Sequence, residues 1–202
     1  MVQWRVRIVA VLLAAGEGRR IGGGKALLGI GDAAGRTTFL AHGARLLARP
    51  GVAAVLAVLG HEADRVRALS QLPPEVASVD NPRYRDGMLT SIWCGLDAAE
   101  KLSAEAVLLH LVDHPLAAPD TVDQVVRALQ DGAPIAVPSH AGQRGHPAGF
   151  ARGVWPALRS ATPERGARGV LADHPDWVVH VPGDPGCVAG IDTLDDYRRL
   201  LG

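Results

Sequence analysis

Residues 12–25 read LLAAGEGRRIGGGK and follow directly on the apolar run RIVAVLL. Glycine is costly to order, so a segment this dense in it has a use for bare backbone. With no Cβ atoms in the way, successive N–H groups can close on an anion. Arg19, Arg20 and Lys25 add cationic donors for phosphate oxygens. The chemistry on offer is the grip of a polyanion. Two common phosphate-binding patterns are excluded by spacing. The P-loop needs a glycine where Arg19 stands and a Ser or Thr where Ala26 stands. The dinucleotide fingerprint needs its third glycine where Ile21 stands, one place before Gly22.

Further along, the run AVLLHLVDHPL carries Asp113 to what should be the carboxyl end of a strand. Ligands of open α/β sheets bind outside those ends, and a carboxylate there suits Mg²⁺ as well as it suits capping the next segment. Near the C-terminus, GIDTLDDYRRL reads on its own as a helix start, with Asp192 and Thr193 as caps and acids in the first turn. NPRYRDGMLTSIWCGL reads as another, with Thr90 or Ser91 as cap. His110 lies inside an apolar run and is expected to be a hydrogen-bonded core residue. His114, beside Asp113, is placed to approach a metal or substrate. Taken singly, His146 is a surface histidine. Cys94 and Cys187 have no ligand spacing, which argues against zinc, and the G-x-S-x-G of a serine hydrolase is missing.

These residues must be held by a scaffold, and the bulk numbers bound it. A chain of 202 residues favours one domain, and 48% hydrophobic residues suffice for a substantial core. Basic and acidic residues balance at 21 each, against a nucleic-acid or membrane-surface partner. No apolar run is long enough to span a bilayer. The N-terminal apolar stretch runs straight into the glycine loop, unlike a signal peptide. The two cysteines read as reduced thiols, in keeping with a cytoplasmic protein. Nearly continuous apolar runs predict strands at 8–13, 53–59, 76–79, 106–112, 135–137 and 177–181. Helical patterns fall between them at 38–48, 62–69, 89–101, 121–130, 154–160, 166–172 and 194–201. The alternation implies a three-layer α/β fold with a mostly parallel central sheet. Residues 133–150, rich in Gly, Pro, Ser and His, read as a strand and loop insertion lining one side of a site.

The loop also satisfies L-A-A-G-x-G-x-R-x-G-x-x-K through Leu13, Ala14, Ala15, Gly16, Gly18, Arg20, Gly22 and Lys25. In this it resembles the MobA-like NTP transferases, nucleotidyltransferases with a glycosyltransferase-A-like, Rossmann-like fold. Four further segments resemble that family in its order. They are L-x-D-x-P at Asp113, N-x-x-x-x-x-G-M-x-x-S at Asn81, Gly87 and Ser91, R-G-H-P at Arg144, Gly145, His146 and Pro147, and a D-T-x-x-D-Y ending at Asp192. The nearest branch is the molybdopterin cytidylyltransferases, from which the chain departs at Gly190, where an acid is common, and at Leu194, where Pro is usual.

The resemblance implies a single nucleotidyltransferase domain over 1–202, its first half, to about residue 115, binding the NTP and the remainder the acceptor. It implies CMP transfer from CTP to a molybdopterin-type cofactor with release of pyrophosphate. Arg20, Lys25 and Asp113 would be catalytic, and Asp113 and Asp192 would hold Mg²⁺. Leu13, Ala14, Ala15, Gly16, Gly18, Lys25, Asn81, Gly87 and Ser91 would bind nucleotide. Arg144, Gly145, His146 and Pro147 would bind the acceptor. A transient contact with a molybdoenzyme or its insertion chaperone is implied as well. Two alternatives stay open: another small phosphorylated acceptor such as a sugar phosphate, or a non-catalytic cofactor-delivery protein of the same fold.

Overall fold

Strand β1 (Ile8–Ala14) reads IVAVLLA, and every one of its side chains is buried. A strand covered on both faces needs a layer on each, and alternation sorts its residues between them. Ile8, Ala10, Leu12 and Ala14 enter one core with Phe39, Leu40, Leu47 and Val125. Val9, Val11 and Leu13 enter a second with Leu96, Phe150, Trp155 and Leu158. The computed structural model describes residues 6–32 and 35–201. Residues 1–5, 33, 34 and 202, which the domain read from the sequence also includes, lie outside the described residues.

After β1 come a hairpin of β2 (Gly29–Asp32) and β3 (Gly35–Thr38), then α1 (Phe39–Leu47), β4 (Val52–Leu59), α2 (Ala63–Leu69) and β5 (Ala77–Asp80). Next are α3 (Met88–Lys101), β6 (Ala106–Leu111), α4 (Pro119–Gln130), β7 (Ile135–His140), β8 (Gln143–Arg144) and β9 (Ala148–Ala151). The chain closes with α5 (Trp155–Ser160), α6 (Gly166–Asp173), β10 (Val178–Pro182) and α7 (Leu194–Leu201). The main sheet runs β10-β7-β9-β6-β1-β4-β5, with β8 added to β7. Its β1–β4, β1–β6, β4–β5 and β7–β10 pairs are parallel. Only β9 and the short β8 run against their neighbours. This is the expected three-layer α/β fold with a mostly parallel sheet. Among the described residues, no helix is long and apolar enough to cross a membrane.

Two features differ from the sequence reading. Residues 133–150 hold more strand than the strand and loop insertion expected, while Val137, Arg144 and His146 among them line one side of a cavity. They supply β7, β8 and β9, and β9 wedges between β6 and β7 in the sheet itself. Gly149 in β9 lies so close under α4 that a Cβ there would fall 2.8 Å from Leu129 Cδ1. The second difference is the start of α3. Its N-cap is Gly87, at φ 110°, and no side chain caps it. Thr90 and Ser91 lie inside the first turn, where Thr90 Oγ1 donates to the Gly87 carbonyl at 2.9 Å.

Helix α3 carries Met88 and Ser91 over the end of β1, and its distance from the strand is set by Gly95. A Cβ at Gly95 would sit 2.4 Å from Val11 Cγ1. Val11 is fully buried and β-branched, so it has no rotamer in which to retreat. Gly95→Ala should therefore lift α3 and cost about 1–3 kcal/mol, the usual range for overpacking. Urea unfolding measures it, and an unchanged midpoint would mean that the two elements are not in contact as described.

Candidate functional site

The loop after β1 folds on itself through glycines in the left-handed region. Gly18, at φ 64°, accepts from both Ile21 N and Gly23 N at 3.0 Å, and Gly24, at φ 60°, starts the turn that carries Lys25. Gly18 has a second reason to lack a side chain. A Cβ there would lie 3.1 Å from Lys25 Cγ, so the lysine stem crosses directly over it. The stem delivers the ammonium to two acids far apart in sequence. Lys25 Nζ lies 2.8 Å from Asp113 Oδ2 and 2.7 Å from Asp192 Oδ1. Arg20 adds a contact to Asp192 Oδ1 at 2.9 Å.

Asp113 follows the end of β6, beside the end of β1. The segment holding Asp192 is tied to it by backbone, Ile191 N donating to the Asp113 carbonyl at 2.8 Å. The capping function that sequence alone assigns to Asp192 and Thr193 is carried by Thr193 and Asp196. Thr193 Oγ1 accepts from Asp196 N at 3.1 Å, and Asp196 Oδ2 accepts from Thr193 N at 2.8 Å, a reciprocal box. Asp192 spends only its backbone N–H on that box, so its carboxylate is free to face Lys25.

A cleft of about 460 Å³ opens above this cluster. Among the residues expected to bind nucleotide or act on it, Leu13, Ala14, Ala15, Gly16, Gly18, Arg20, Lys25, Ser91 and Asp113 line it. Asn81 does not. It is buried behind the wall, donating to Thr90 Oγ1 and Ser91 Oγ at 2.9 Å each. A second cavity of about 500 Å³ shares the walls Leu13, Met88 and Leu111. Gly87, Arg144, Gly145 and His146 line this one; Pro147 does not. Leu109, Val137 and Phe150 from the sheet and Leu171 from α6 give it apolar walls, and Glu164, Arg165 and Arg168 line it as well. Met88, of the matched Gly–Met turn, also lines the cleft, as does Tyr84, which was not singled out from the sequence although it falls inside the matched NPRYRDGM segment.

Three imidazoles stand behind Asp113. His114 and His146 meet edge to face at 4.8 Å, and His110 lies 6.4 Å from His146. Burial pushes all three toward the neutral form: His146 falls to about 4, His110 falls well below the usual histidine range, and His114 is lowered as well. His110 is the core residue expected, but neither ring nitrogen has a hydrogen-bond partner. The departure at Gly190 falls beside this group: a Cβ there would lie 3.4 Å from His114 Nε2, about an ordinary contact. Asp113 Oδ1 is buried and also lacks a partner. Among the described residues, no group of three or more His, Cys, Asp or Glu is arranged to hold a metal. The acidic donors of the cluster are the two carboxylates around Lys25.

The family model for the MobA-like NTP transferase domain matches residues 10–178. The nicotine blue oxidoreductase of Paenarthrobacter nicotinovorans is 32% identical over 96% of both chains. A 2-C-methyl-D-erythritol 4-phosphate cytidylyltransferase of Streptomyces avermitilis is 32% identical over 66% of this chain and 54% of its own. Among solved structures, Rv0371c from Mycobacterium tuberculosis superposes with a TM-score of 0.81 at 30% identity, covering 97% of this chain and 98% of its own. The same protein in complex with manganese gives a TM-score of 0.68 at 29% identity, covering 98% of each chain.

The hydrogen bond from Lys25 chiefly holds the Asp192 carboxyl below its usual range, with Arg20 contributing. A group with a depressed native pKa contributes stability that is full above the usual carboxylate range. That stability is lost as pH falls through the native value. Lys25→Met should raise the Asp192 pKa toward the usual carboxylate range and so shrink this acid-side loss. Carbon-detected NMR titration of the side-chain carboxyl reads the shift; an unmoved Asp192 would dissolve the pairing.

Proposed function

The chain belongs to the MobA-like NTP transferase family, and from that premise we propose that it is a Mg²⁺-dependent nucleotidyltransferase. It moves CMP from CTP onto a phosphorylated acceptor of the molybdopterin type. The observation that carries the reading is one ammonium, Lys25, at hydrogen-bond distance from two carboxylates beneath a glycine-walled cleft.

A phosphate oxygen of the acceptor attacks the α-phosphorus, the bond from that phosphorus to the bridging oxygen breaks, and pyrophosphate leaves. The nucleophile is anionic near neutral pH, so no strong base is required. The task is to bring two polyanions together, by position and by charge. Arg20, Lys25 and the N–H groups of residues 16–24 neutralise the triphosphate and the charge that develops on it. Asp113 and Asp192 are the residues that would hold Mg²⁺. Hard oxygen donors suit it, and the unpartnered buried Oδ1 of Asp113 is an acceptor in want of a cation. When bound, the ion lowers the repulsion between the two phosphates. The relative solved with manganese supports a divalent ion in this fold.

Arg144, Gly145, His146 and Pro147 belong to the acceptor side, which divides the labour near residue 115, as the sequence suggests. The second cavity joins apolar walls to the charged side chains Arg144, Glu164, Arg165 and Arg168, a combination that suits an acceptor carrying both a ring and a phosphate. A molybdoenzyme or its insertion chaperone is the proposed recipient of the product. The relative named as a nicotine blue oxidoreductase, matched over nearly its whole length, favours a second reading, an oxidoreductase activity.

Pyrophosphate release with Mg²⁺ and each of the four NTPs, beside an oxidoreductase assay on nicotine blue, separates the two. Lys25→Ala and Asp113→Ala should each lower CTP-dependent turnover about a hundredfold or more while leaving the thermal transition cooperative. Near-normal turnover in either variant refutes the role given to that residue.

A further inference from the structure

We infer that Tyr84 is the surface on which the base of the nucleotide stacks. The inference rests on the nucleotide reading of the first cleft and deepens it. The phosphate-binding features of that cleft, Lys25, Arg20 and the glycine loop, gather around Asp113. A nucleotide also has a flat, weakly polar base, and a base binds by its face as well as its edge. Tyr84 is the one aromatic side chain among the described residues lining the cleft. The chain has only two tyrosines. The other, Tyr197, is committed elsewhere, with its ring against Phe39 and its hydroxyl donating to the Gly29 carbonyl at 2.9 Å.

The ring of Tyr84 is held as a binding wall must be. It is half-buried, and its Cβ packs so tightly on Gly60 that a side chain there would clash with it at 2.7 Å. Gly60 is itself fixed beside the start of the glycine loop, since His61 N donates to the Ala15 carbonyl at 3.0 Å. Tyr84 is therefore tied through Gly60 to the start of the glycine loop. The ring face already takes a flat, delocalised partner: the Arg85 guanidinium lies 5.2 Å from the ring centroid. Arg85 is 73% exposed, with Glu17 at 3.5 Å, so its hold on the ring is loose. A surface that accepts a guanidinium plane accepts a base plane for the same reason.

The test compares two probes that differ only in carrying a nucleoside. CTP and inorganic tripolyphosphate, each with Mg²⁺, are titrated calorimetrically into the unaltered protein and into Tyr84→Leu, Tyr84→Phe and Tyr84→Trp. Tyr84→Leu should weaken CTP by about five- to a hundredfold, the usual worth of one stacked base, and leave tripolyphosphate within about twofold. Tyr84→Phe and Tyr84→Trp should keep CTP affinity. The added indole of Tyr84→Trp should be quenched by CTP and not by tripolyphosphate, relative to the unaltered protein. Equal weakening of both probes in Tyr84→Leu would show a structural role and overturn the inference, as would unchanged CTP affinity. If the unaltered protein bound neither probe, the nucleotide reading would fall first, and this inference with it.

Discussion

Two carboxylates within reach of one ammonium is the constraint on which this molecule is built. Asp113 and Asp192 repel each other wherever they approach, and water is partly excluded where they do, with the Lys25 side chain 12% exposed. The pair is tolerable only with a cation between them. That requirement joins three parts of the chain. The glycine loop must bring the lysine stem across Gly18, β6 must end at Asp113, and the segment before α7 must return from 167 residues away. The backbone bond from Ile191 to Asp113 and the box between Thr193 and Asp196 make that return accurate without using either carboxylate that faces Lys25.

The sheet supplies the location. Parallel strands β1 and β6 end side by side, so a loop after one and a carboxylate after the other share the same edge, where open α/β sheets place their ligands. Strand β9, running against both its neighbours, widens the sheet on the far side of β6 and sets Phe150 under the second cavity. One sheet thus carries two adjoining cavities with Leu13, Met88 and Leu111 as their common wall.

Much of this was legible in the sequence because the residues that matter sit on strong local patterns. The fully buried runs of β1 and β6 have no polar interruption except His110, and each ends at a chemical group. The seven helices fall within about two residues of their expected bounds, since their apolar stripes are regular. What was illegible lacked such a pattern. Strand β9 has four residues, one of them glycine, and its place is dictated by Leu129 and Val125 of α4, which no local window contains. The hairpin of β2 and β3 reads GIGD and GRTT, with no alternation to betray it. Asn81 matched a motif, yet its side chain is fully taken by Thr90, Ser91 and Arg83 N. A motif reports that a residue type is required and is silent on whether it faces a ligand or the wall behind one. Asp192 was ambiguous for a related reason: cap and ligand need the same residue type, and the partners of Asp196 show only that the cap is made elsewhere.

Charge counting carries the argument one step further. At neutral pH the cluster holds Asp113 and Asp192 against Lys25 and Arg20, a sum near zero. The imidazoles behind it do not alter the sum, because burial keeps His110 and His146 uncharged. Both cations are already engaged by the carboxylates. A triphosphate entering such a site competes for Lys25 and Arg20, and to the extent that it wins, it leaves two carboxylates bare beside a polyanion. On the proposed reading, positive charge that arrives with the nucleotide would meet that deficit. A protein that merely stored a phosphorylated cofactor would gain by having no carboxylate here at all. Acids facing one lysine at the mouth of a phosphate loop make sense when the charge they need is imported with the substrate.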